Sequence, residues 1–175
     1  MKLVLSKQAE IEAILSMIKE AQVDFKSSGI DQWQDGYPNT DTIKLDIKLQ
    51  RAYSIYFEDE IVGCCVIDFE HDPNYDVVYN GQFHNEHHYA TIHRFVIKRS
   101  YQHCHLGTQA FKLIEDIVKE KGIDTIRIDT HVDNLKMRGL IEKSQFKYCG
   151  IIKLNGTNDE RLAFDKTLIK ENKNV

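Results

Sequence analysis

The sequence contains no apolar run approaching the roughly 18 to 20 residues that a membrane-spanning helix requires. Residues 1–7 also lack the apolar core of a signal peptide. No run of lysines and arginines is long enough to follow a nucleic-acid backbone, and the formal net charge is −4. No internal repeat or low-complexity segment is visible. We therefore expect a cytoplasmic protein whose partners include neither a membrane nor a nucleic acid.

Cysteine is scarce, with four residues in the chain. Cys64 and Cys65 are adjacent on a predicted strand, where neighbouring side chains point to opposite faces. This placement favours free thiols, which are typical of a reducing compartment.

A recognised zinc spacing is also missing. His and Cys are the common zinc ligands, but no two-plus-two pattern joins them here, and we expect no bound metal. The residues considered for this role are His84, Glu86, His87, His88, His103, Cys104 and His105.

What the sequence does have is enough apolar residues for a core. The chain has 175 residues, of which 42% are hydrophobic and 29% charged. A chain of this size is long enough for one well-buried core and short for two. We expect a single domain over residues 1–175.

The hydrophobic pattern alternates between helical and strand periodicity. Helical spacing predicts helices over residues 8–27, 40–49, 106–121 and 134–144. In the first helix it places Ile11, Ile14, Leu15, Ile18, Ala21 and Val23 on the apolar side. Strands are predicted over residues 51–57, 61–69, 90–97, 125–130, 148–154 and 162–167. A helix joins strand 90–97 to strand 125–130, which implies a parallel pair in an otherwise antiparallel sheet. The fold class is α/β (α+β).

Residues 95–111 are the most informative stretch, because they run from the end of an apolar strand through a polar turn into a helix. Helix N-termini expose unpaired N–H groups and carry partial positive charge, so such a turn can hold a phosphate. Gly107 offers a point of close approach. The ligand is expected beyond the carboxyl ends of the parallel strands.

The motif Gln102-x-x-His105-x-Gly107 opens this helix, and Asn134 opens the last one. Together with the order of elements, this resembles the GNAT superfamily of acetyl-CoA-dependent N-acetyltransferases. The resemblance covers nearly the whole chain and implies a mostly antiparallel sheet of six to seven strands with a splayed parallel pair and about four helices. The family usually has glycine where His105 and Gln145 stand, and often has its general-acid tyrosine where Ile141 stands.

The resemblance implies that acetyl-CoA is the co-substrate and that its binding residues lie in the central loop, the preceding strand and the last helix. They are Phe95, Val96, Ile97, Gln102, His103, Cys104, His105, Leu106, Gly107, Thr108, Asn134 and Arg138. A backbone N–H near Phe95 or Val96 would stabilise the oxyanion.

The expected reaction is direct attack of a primary amine of a small molecule or peptide on the thioester. A protonated amine cannot attack, so a base or a water chain must accept its proton. His93 is the first candidate for this base, and the further candidates are His131, Glu86, His87 and His88. Tyr148 is the candidate acid that protonates the leaving thiolate. Asn134 is the third residue predicted to be catalytic. Trp33, Tyr37 and Glu86 are predicted to bind the acceptor. For Trp33, packing against the edge of the core is an equally open alternative.

Two alternatives remain open from the residues. Cys104, at a helix N-terminus, is a weaker candidate for a covalent nucleophile. A non-catalytic sensor or scaffold that binds CoA or acyl-CoA would also explain the departures at His105, Ile141 and Gln145. A homodimer is a further open possibility.

Overall fold

The protein is built on one mixed sheet with helices on both faces. The computed structural model describes residues 1–157 and 159–168. Its strands are β1 (Lys2–Leu5), β2 (Ala52–Phe57), β3 (Glu60–Asp68), β4 (Ala90–Ile97), β5 (Thr125–Thr130), β6 (Lys147–Lys153) and β7 (Glu160–Thr167). They lie in the order β1-β2-β3-β4-β5-β7-β6, and within the described residues β4 and β5 form the one parallel pair. The predicted α/β class and the parallel pair are confirmed.

The helices α1 (Ile11–Ser27), α2 (Thr40–Lys48), α3 (Leu106–Glu120) and α4 (Leu135–Lys143) agree closely with the predicted ones. Gly29 and Gly122, which follow α1 and α3, have φ of +69° and +76°. Such left-handed residues commonly end helices, and glycine adopts this conformation without steric cost. Both helix ends are thus set by local sequence.

Two apolar clusters place the helices on opposite faces. Cys64 packs with α1 and α2 in one cluster, while its neighbour Cys65 packs with α3 and α4 in the other. In the second cluster Phe111 makes edge-on contacts with Phe95 and Phe146, at centroid distances of 5.0 and 5.6 Å. All four cysteines are free thiols, as predicted. Burial raises the pKa of Cys64 to about 12, so this thiol is protonated at neutral pH.

The fold begins with a strand, β1, whereas the sequence analysis predicted that it begins with a helix. β1 pairs with β2 from Lys2↔Tyr56 to Leu5↔Tyr53. A short 3-10 turn, Gln8–Glu10, then precedes α1. The prediction that Val23 lies on the apolar side of the first helix is wrong, because this residue is 61% exposed.

The sheet opens between β4 and β5. The two strands pair only from Ala90↔Ile126 to Ile92↔Ile128, and no described residue of β5 pairs with β4 beyond Ile92. The second half of β4 therefore has a free edge at the centre of the sheet, which is where α/β sheets generally bind ligands. None of the helices in the described part of the chain combines the length and apolar character needed to cross a bilayer.

Candidate functional site

A β-bulge marks the point where β4 leaves β5. Cys64 pairs with Val96 and Val66 pairs with His93, so β4 carries one residue more than β3 between these pairs. Arg94 lies in the bulge with φ of +50°. Bulges bend a strand and redirect its backbone groups, and they are frequent beside active sites. The free edge of β4 starts at this bulge.

A cavity of about 740 Å³ lies between α1, the end of β4 and the N-termini of α3 and α4. It collects most of the residues predicted for the cofactor. Those lining it are Phe95, Val96, Ile97, Gln102, His103, His105, Leu106, Gly107, Thr108 and Asn134. We call this space the cofactor cavity.

Two histidines of the central loop have left-handed backbone conformations. His103 has φ of +67° and His105, the N-cap residue of α3, has φ of +57° and ψ of +11°. The position where the family usually has glycine therefore keeps the conformation that glycine favours, although a histidine occupies it. Since the His105 side chain makes no capping hydrogen bond, the first amides of α3 are not capped by it.

Gly107 has a packing role in addition to its place in the cavity wall. A Cβ at this position would lie 3.1 Å from the Leu140 side chain. The glycine therefore lets α3 and α4 approach closely, and α4 forms the other side of the cofactor cavity.

Cys104 and Arg138 lie outside the cavity lining. The Cys104 thiol is exposed and lies 3.8 Å from the Gln102 carbonyl oxygen. Arg138 Nη1 donates to the Val132 carbonyl at 2.8 Å, which directs the guanidinium to the loop before α4. Lys136, which the sequence analysis did not select, lines the cavity and donates to Gln102 Oε1 at 3.1 Å.

A second cavity, of about 650 Å³, lies on the other side of the bulge, and we call it the acceptor cavity after the residues predicted for the acceptor that line it. Trp33, Tyr37, His93 and Arg94 line it. Its wall is rich in carboxylates, contributed by Asp31, Asp35, Asp68, Asp72, Asp129 and Asp159. Such a wall favours a positively charged ligand.

His93, the first candidate base, is 22% exposed in this cavity. Its Nε2 lies 3.2 Å from Asp72 Oδ2. Burial alone would raise the pKa of Asp72, but hydrogen bonds from His93 and from Asn74 outweigh it and lower that pKa below its ordinary value. Asp72 is thus ionised at neutral pH and orients the His93 ring.

Trp33 and Tyr37, both predicted to bind the acceptor, line the acceptor cavity, and Trp33 also closes the edge of the core. Its ring meets Phe25 edge-on at a centroid distance of 5.5 Å and packs against the α1–α2 cluster. Tyr37 is held by a hydrogen bond from Arg94 Nη1 to its hydroxyl. Both roles proposed for Trp33 are therefore compatible with its position.

An ionic network that the sequence analysis missed supports this wall. Asp46 of α2 is 1% exposed and contacts two arginines. Arg94 reaches it with Nε and Nη2, at 2.8 and 2.9 Å, and Arg51 reaches it with Nε at 2.8 Å. Arg51 also contacts Asp68 at 2.5 Å. The network ties α2 to the β4 bulge.

The two cavities meet at Asn134. Four residues line both of them: Phe25, Phe95, Asn134 and Met137. Asn134 is the polar member of this set and is 7% exposed. Its Oδ1 accepts from the Met137 backbone N–H at 3.1 Å, which caps α4 and leaves Nδ2 to donate to Gln32 Oε1 at 3.1 Å.

Glu86 was predicted to bind the acceptor, but it does not line either cavity. The loop around it is tied to the amino-terminal end of β5, away from the open carboxyl end. Asn85 Nδ2 donates to Thr125 and Thr167, and its carbonyl accepts from Arg127 Nη2. Loop residue His87 lies 3.3 Å from Asp124, and His88 lies 3.0 Å from the Phe69 carbonyl oxygen.

Tyr148, the candidate thiolate acid, is likewise outside the lining of both cavities. It lies on β6, is 51% exposed, and packs edge-on against Phe164 at 5.6 Å. His131 Nδ1 accepts from the Asp133 backbone N–H at 3.1 Å, which commits that ring nitrogen to the loop. Neither residue is positioned at the junction of the cavities.

Comparison with known proteins agrees with the fold described above. A family model described as "Acetyltransferase (GNAT) family" matches residues 15–146, more than half of the chain. A crystal structure of a GNAT-family acetyltransferase from Streptococcus agalactiae is 29% identical and has a TM-score of 0.87, covering 97% of this chain and 96% of that one. Among curated proteins, none matches significantly.

More distant solved structures share the fold alone. Aminoglycoside 6′-acetyltransferase type Ii is 17% identical with a TM-score of 0.68, covering 98% of this chain and 99% of its own. The ribosomal-protein-S18-alanine N-acetyltransferase of Escherichia coli is 10% identical with a TM-score of 0.64, covering 99% and 97%.

Proposed function

The chain belongs to the GNAT family of acetyltransferases, and on this premise we propose that it transfers an acetyl group from acetyl-CoA to a primary amine. One observation carries the proposal: a cofactor-sized cavity and an acidic cavity meet at Phe95 and Asn134, beside the free edge of β4. A thioester and an amine bound in the two cavities would come together at this junction. Holding two reactants in contact supplies much of the rate acceleration.

The cofactor cavity fits acetyl-CoA, which supplies an activated acetyl group as a thioester. Amides at the start of α3, together with the left-handed loop around His103 and His105, form a site for the pyrophosphate. Lys136 and Lys143 line the same cavity and add positive charge. The unpaired edge from Phe95 to Ile97 can bind the amide groups of the pantetheine arm as an added strand would.

The acceptor is a cation, because the acceptor cavity is lined by six aspartates and three arginines. Arg94 and Arg51 are already paired with Asp46 and Asp68, which leaves other carboxylates to attract the ligand. The relatives named above act on an aminoglycoside and on the alanine of a ribosomal protein. A small-molecule amine and a peptide amine both fit this chemistry.

His93 is the proposed proton acceptor. If its Nε2–H donates to Asp72, Nδ1 is left unprotonated and can accept a proton from the amine directly or through water. A backbone N–H of the bulge, at Phe95 or Val96, stabilises negative charge that develops on the carbonyl oxygen. Nδ2 of Asn134 donates one hydrogen to Gln32 Oε1, and its second hydrogen is the donor available to the leaving sulfur.

A non-catalytic CoA-binding protein is the second candidate. Ile141 is fully buried in the core, so it offers no proton donor. Within the described residues, no tyrosine lines both cavities. Both observations favour a protein that binds CoA without turnover, unless Asn134 or water replaces the tyrosine.

A thiol-release assay separates the two candidates. Acetyl-CoA would be offered with a panel of amines that includes polyamines, aminoglycosides, amino acids and peptides, and acetylated products would be identified by mass spectrometry. The transferase is supported if CoA thiol is released only in the presence of an amine, and if His93→Ala abolishes this release while still binding acetyl-CoA. Binding without release on any amine supports the sensor, and absence of binding overturns both.

A further inference from the structure

Three side chains from separate parts of the chain converge at the opposite end of the sheet from the two cavities. His84 lies in the loop before β4, Cys149 on β6 and Asp165 on β7. One ligand atom from each lies within 4.8 Å of the other two. His84 Nδ1 is 2.7 Å from Asp165 Oδ1 and 3.5 Å from Cys149 Sγ.

The backbone holds this cluster in place. Cys149 is the extra residue of a β6 bulge, since Tyr148 pairs with Phe164 and Gly150 with Ala163. A Cβ at Gly81 would lie 2.0 Å from the Cys149 carbonyl oxygen, so glycine is required for the loop to approach the bulge. Asp165 Oδ2 accepts the His84 backbone N–H at 2.7 Å, which fixes the carboxylate and the histidine together.

The geometry differs from that of a nucleophilic cysteine. In a Cys-His-Asp relay the thiol and the carboxylate contact different ring nitrogens, so that the histidine can pass a proton between them. Here both contacts are made to Nδ1. Convergence of sulfur, nitrogen and oxygen on one point is instead the arrangement of a chelating site.

We propose that His84, Cys149 and Asp165 bind a zinc ion. Zinc prefers tetrahedral sets of thiolate sulfur, imidazole nitrogen and carboxylate oxygen. Ligand atoms bound at about 2.0–2.3 Å lie roughly 3.2–3.8 Å apart, so the 2.7 Å between His84 Nδ1 and Asp165 Oδ1 must lengthen by about half an ångström. Cys149 and Asp165 are 3% and 1% exposed, while the His84 side chain is 42% exposed. The half-exposed histidine gives the metal an entry path and leaves room for a water as the fourth ligand.

The site has a structural role, because it joins the loop before β4 to both strands of the β6–β7 hairpin. It is independent of the acetyltransferase proposal, since none of its three residues lines the cofactor or acceptor cavity. Zinc binding should therefore raise the thermal unfolding midpoint whether or not the protein binds acetyl-CoA.

The test is metal content after chelation and reloading. Chelator-treated protein is incubated with zinc chloride, desalted and analysed for metal by mass spectrometry, and a cobalt-loaded sample is examined by absorption spectroscopy. We expect one zinc per chain, a higher unfolding midpoint with zinc, and with cobalt the bands of a tetrahedral site that includes a thiolate.

Cys149→Ser and His84→Gln should each weaken zinc binding roughly tenfold or more. His88→Gln, in the same loop, and Cys104→Ser, which removes the exposed thiol, are matched controls and should bind zinc like the unmodified protein. His84 is half exposed, so its variant remains decisive if Cys149→Ser folds poorly. Failure to retain zinc, equal retention in His84→Gln and His88→Gln, or loss of zinc in Cys104→Ser would overturn the proposal.

Discussion

Arg94 forms a two-point ion pair with the buried Asp46, with Nε 2.8 Å from Oδ2 and Nη2 2.9 Å from Oδ1. This pair joins the bulge of β4 to α2, which is distant in sequence. The charge-assisted hydrogen bond from Nη2 and the ionic contact of Nε together hold the guanidinium at this carboxylate. The free edge of β4 therefore depends on a helix that contributes no residue to the lining of either cavity.

Asp46→Ala should lower the free energy of unfolding by about 3–5 kcal/mol, because it leaves Arg94 and Arg51 without their buried carboxylate. Urea denaturation measures the change. Asp41→Ala, at an exposed position in the first turn of the same helix, is the matched control and should cost less than about 1 kcal/mol. Equal losses in the two variants would show that the ion pair contributes nothing specific.

Asn134 can be tested by separating its two hydrogen-bonding roles. Asn134→Asp keeps an oxygen to cap α4 but removes the Nδ2 donor. We expect the α4 cap to be kept, a loss of about 1 kcal/mol from the broken hydrogen bond to Gln32 Oε1, and a fall in kcat on the order of tenfold to a hundredfold. Asn134→Ala should lose the same activity and, because the cap is also removed, about 1 kcal/mol more stability. Full activity of Asn134→Asp would exclude the amide as a donor to the sulfur.

His105 should tolerate glycine better than a β-branched residue. His105→Gly removes the cost of a left-handed histidine, so we expect the protein to gain about 0.5–1 kcal/mol while acetyl-CoA affinity is retained. His105→Val should lose about 1 kcal/mol or more. Chemical denaturation and calorimetry measure both properties. A loss of stability in the glycine variant would mean that the imidazole itself holds the loop.

Glu10 provides a pH test of the junction between the 3-10 turn and β2. Burial alone would raise its pKa, but hydrogen bonds from Ser54 and Tyr56, each at 2.7 Å, lower it below its ordinary value. A carboxyl whose folded-state pKa is lowered stabilises the fold above its unfolded-state pKa, and this stability is lost as the pH falls through the folded-state pKa.

The unfolding midpoint of the unmodified protein should therefore fall more steeply below about pH 4.5 than that of Glu10→Gln. Thermal scans over a pH series make the comparison. Glu12→Gln, at an exposed position two residues later, should follow the unmodified protein. Parallel curves for all three proteins would exclude a stabilising role for Glu10.

Helices and central strands were predictable because their signals are strong. α3 has buried residues at helical spacing, and β4 is rich in β-branched and aromatic residues. β1 was missed because it is a four-residue edge strand in which only Leu3 is partly buried. Its sequence therefore lacks the alternation of apolar and polar residues that predicts a strand. The buried Asp46 was missed because an aspartate in a short helix normally faces solvent.

The two sides of the site differ in how far the sequence could define them. The loop from Gln102 to Thr108 is contiguous, so one motif predicts six of the residues that line the cofactor cavity. The acceptor cavity is assembled from segments whose pairing is set by tertiary contacts, such as those between Arg94 and Asp46 or between His93 and Asp72. Loop polarity alone selected Glu86, although the hydrogen bonds of Asn85 hold that loop at the other end of β5.

Calorimetric titration with acetyl-CoA shows whether the cavity between α1, β4, α3 and α4 binds this co-substrate. We predict saturable one-to-one binding to the unmodified protein, weakened at least tenfold by Lys136→Glu, which reverses a charge in the wall of the cofactor cavity. Lys153→Glu, at an exposed position on β6, makes the same change of charge away from the cavity and should bind normally. Absence of binding to the unmodified protein would rule out acetyl-CoA as a ligand, and equal affinities in the two variants would place its binding site away from this cavity.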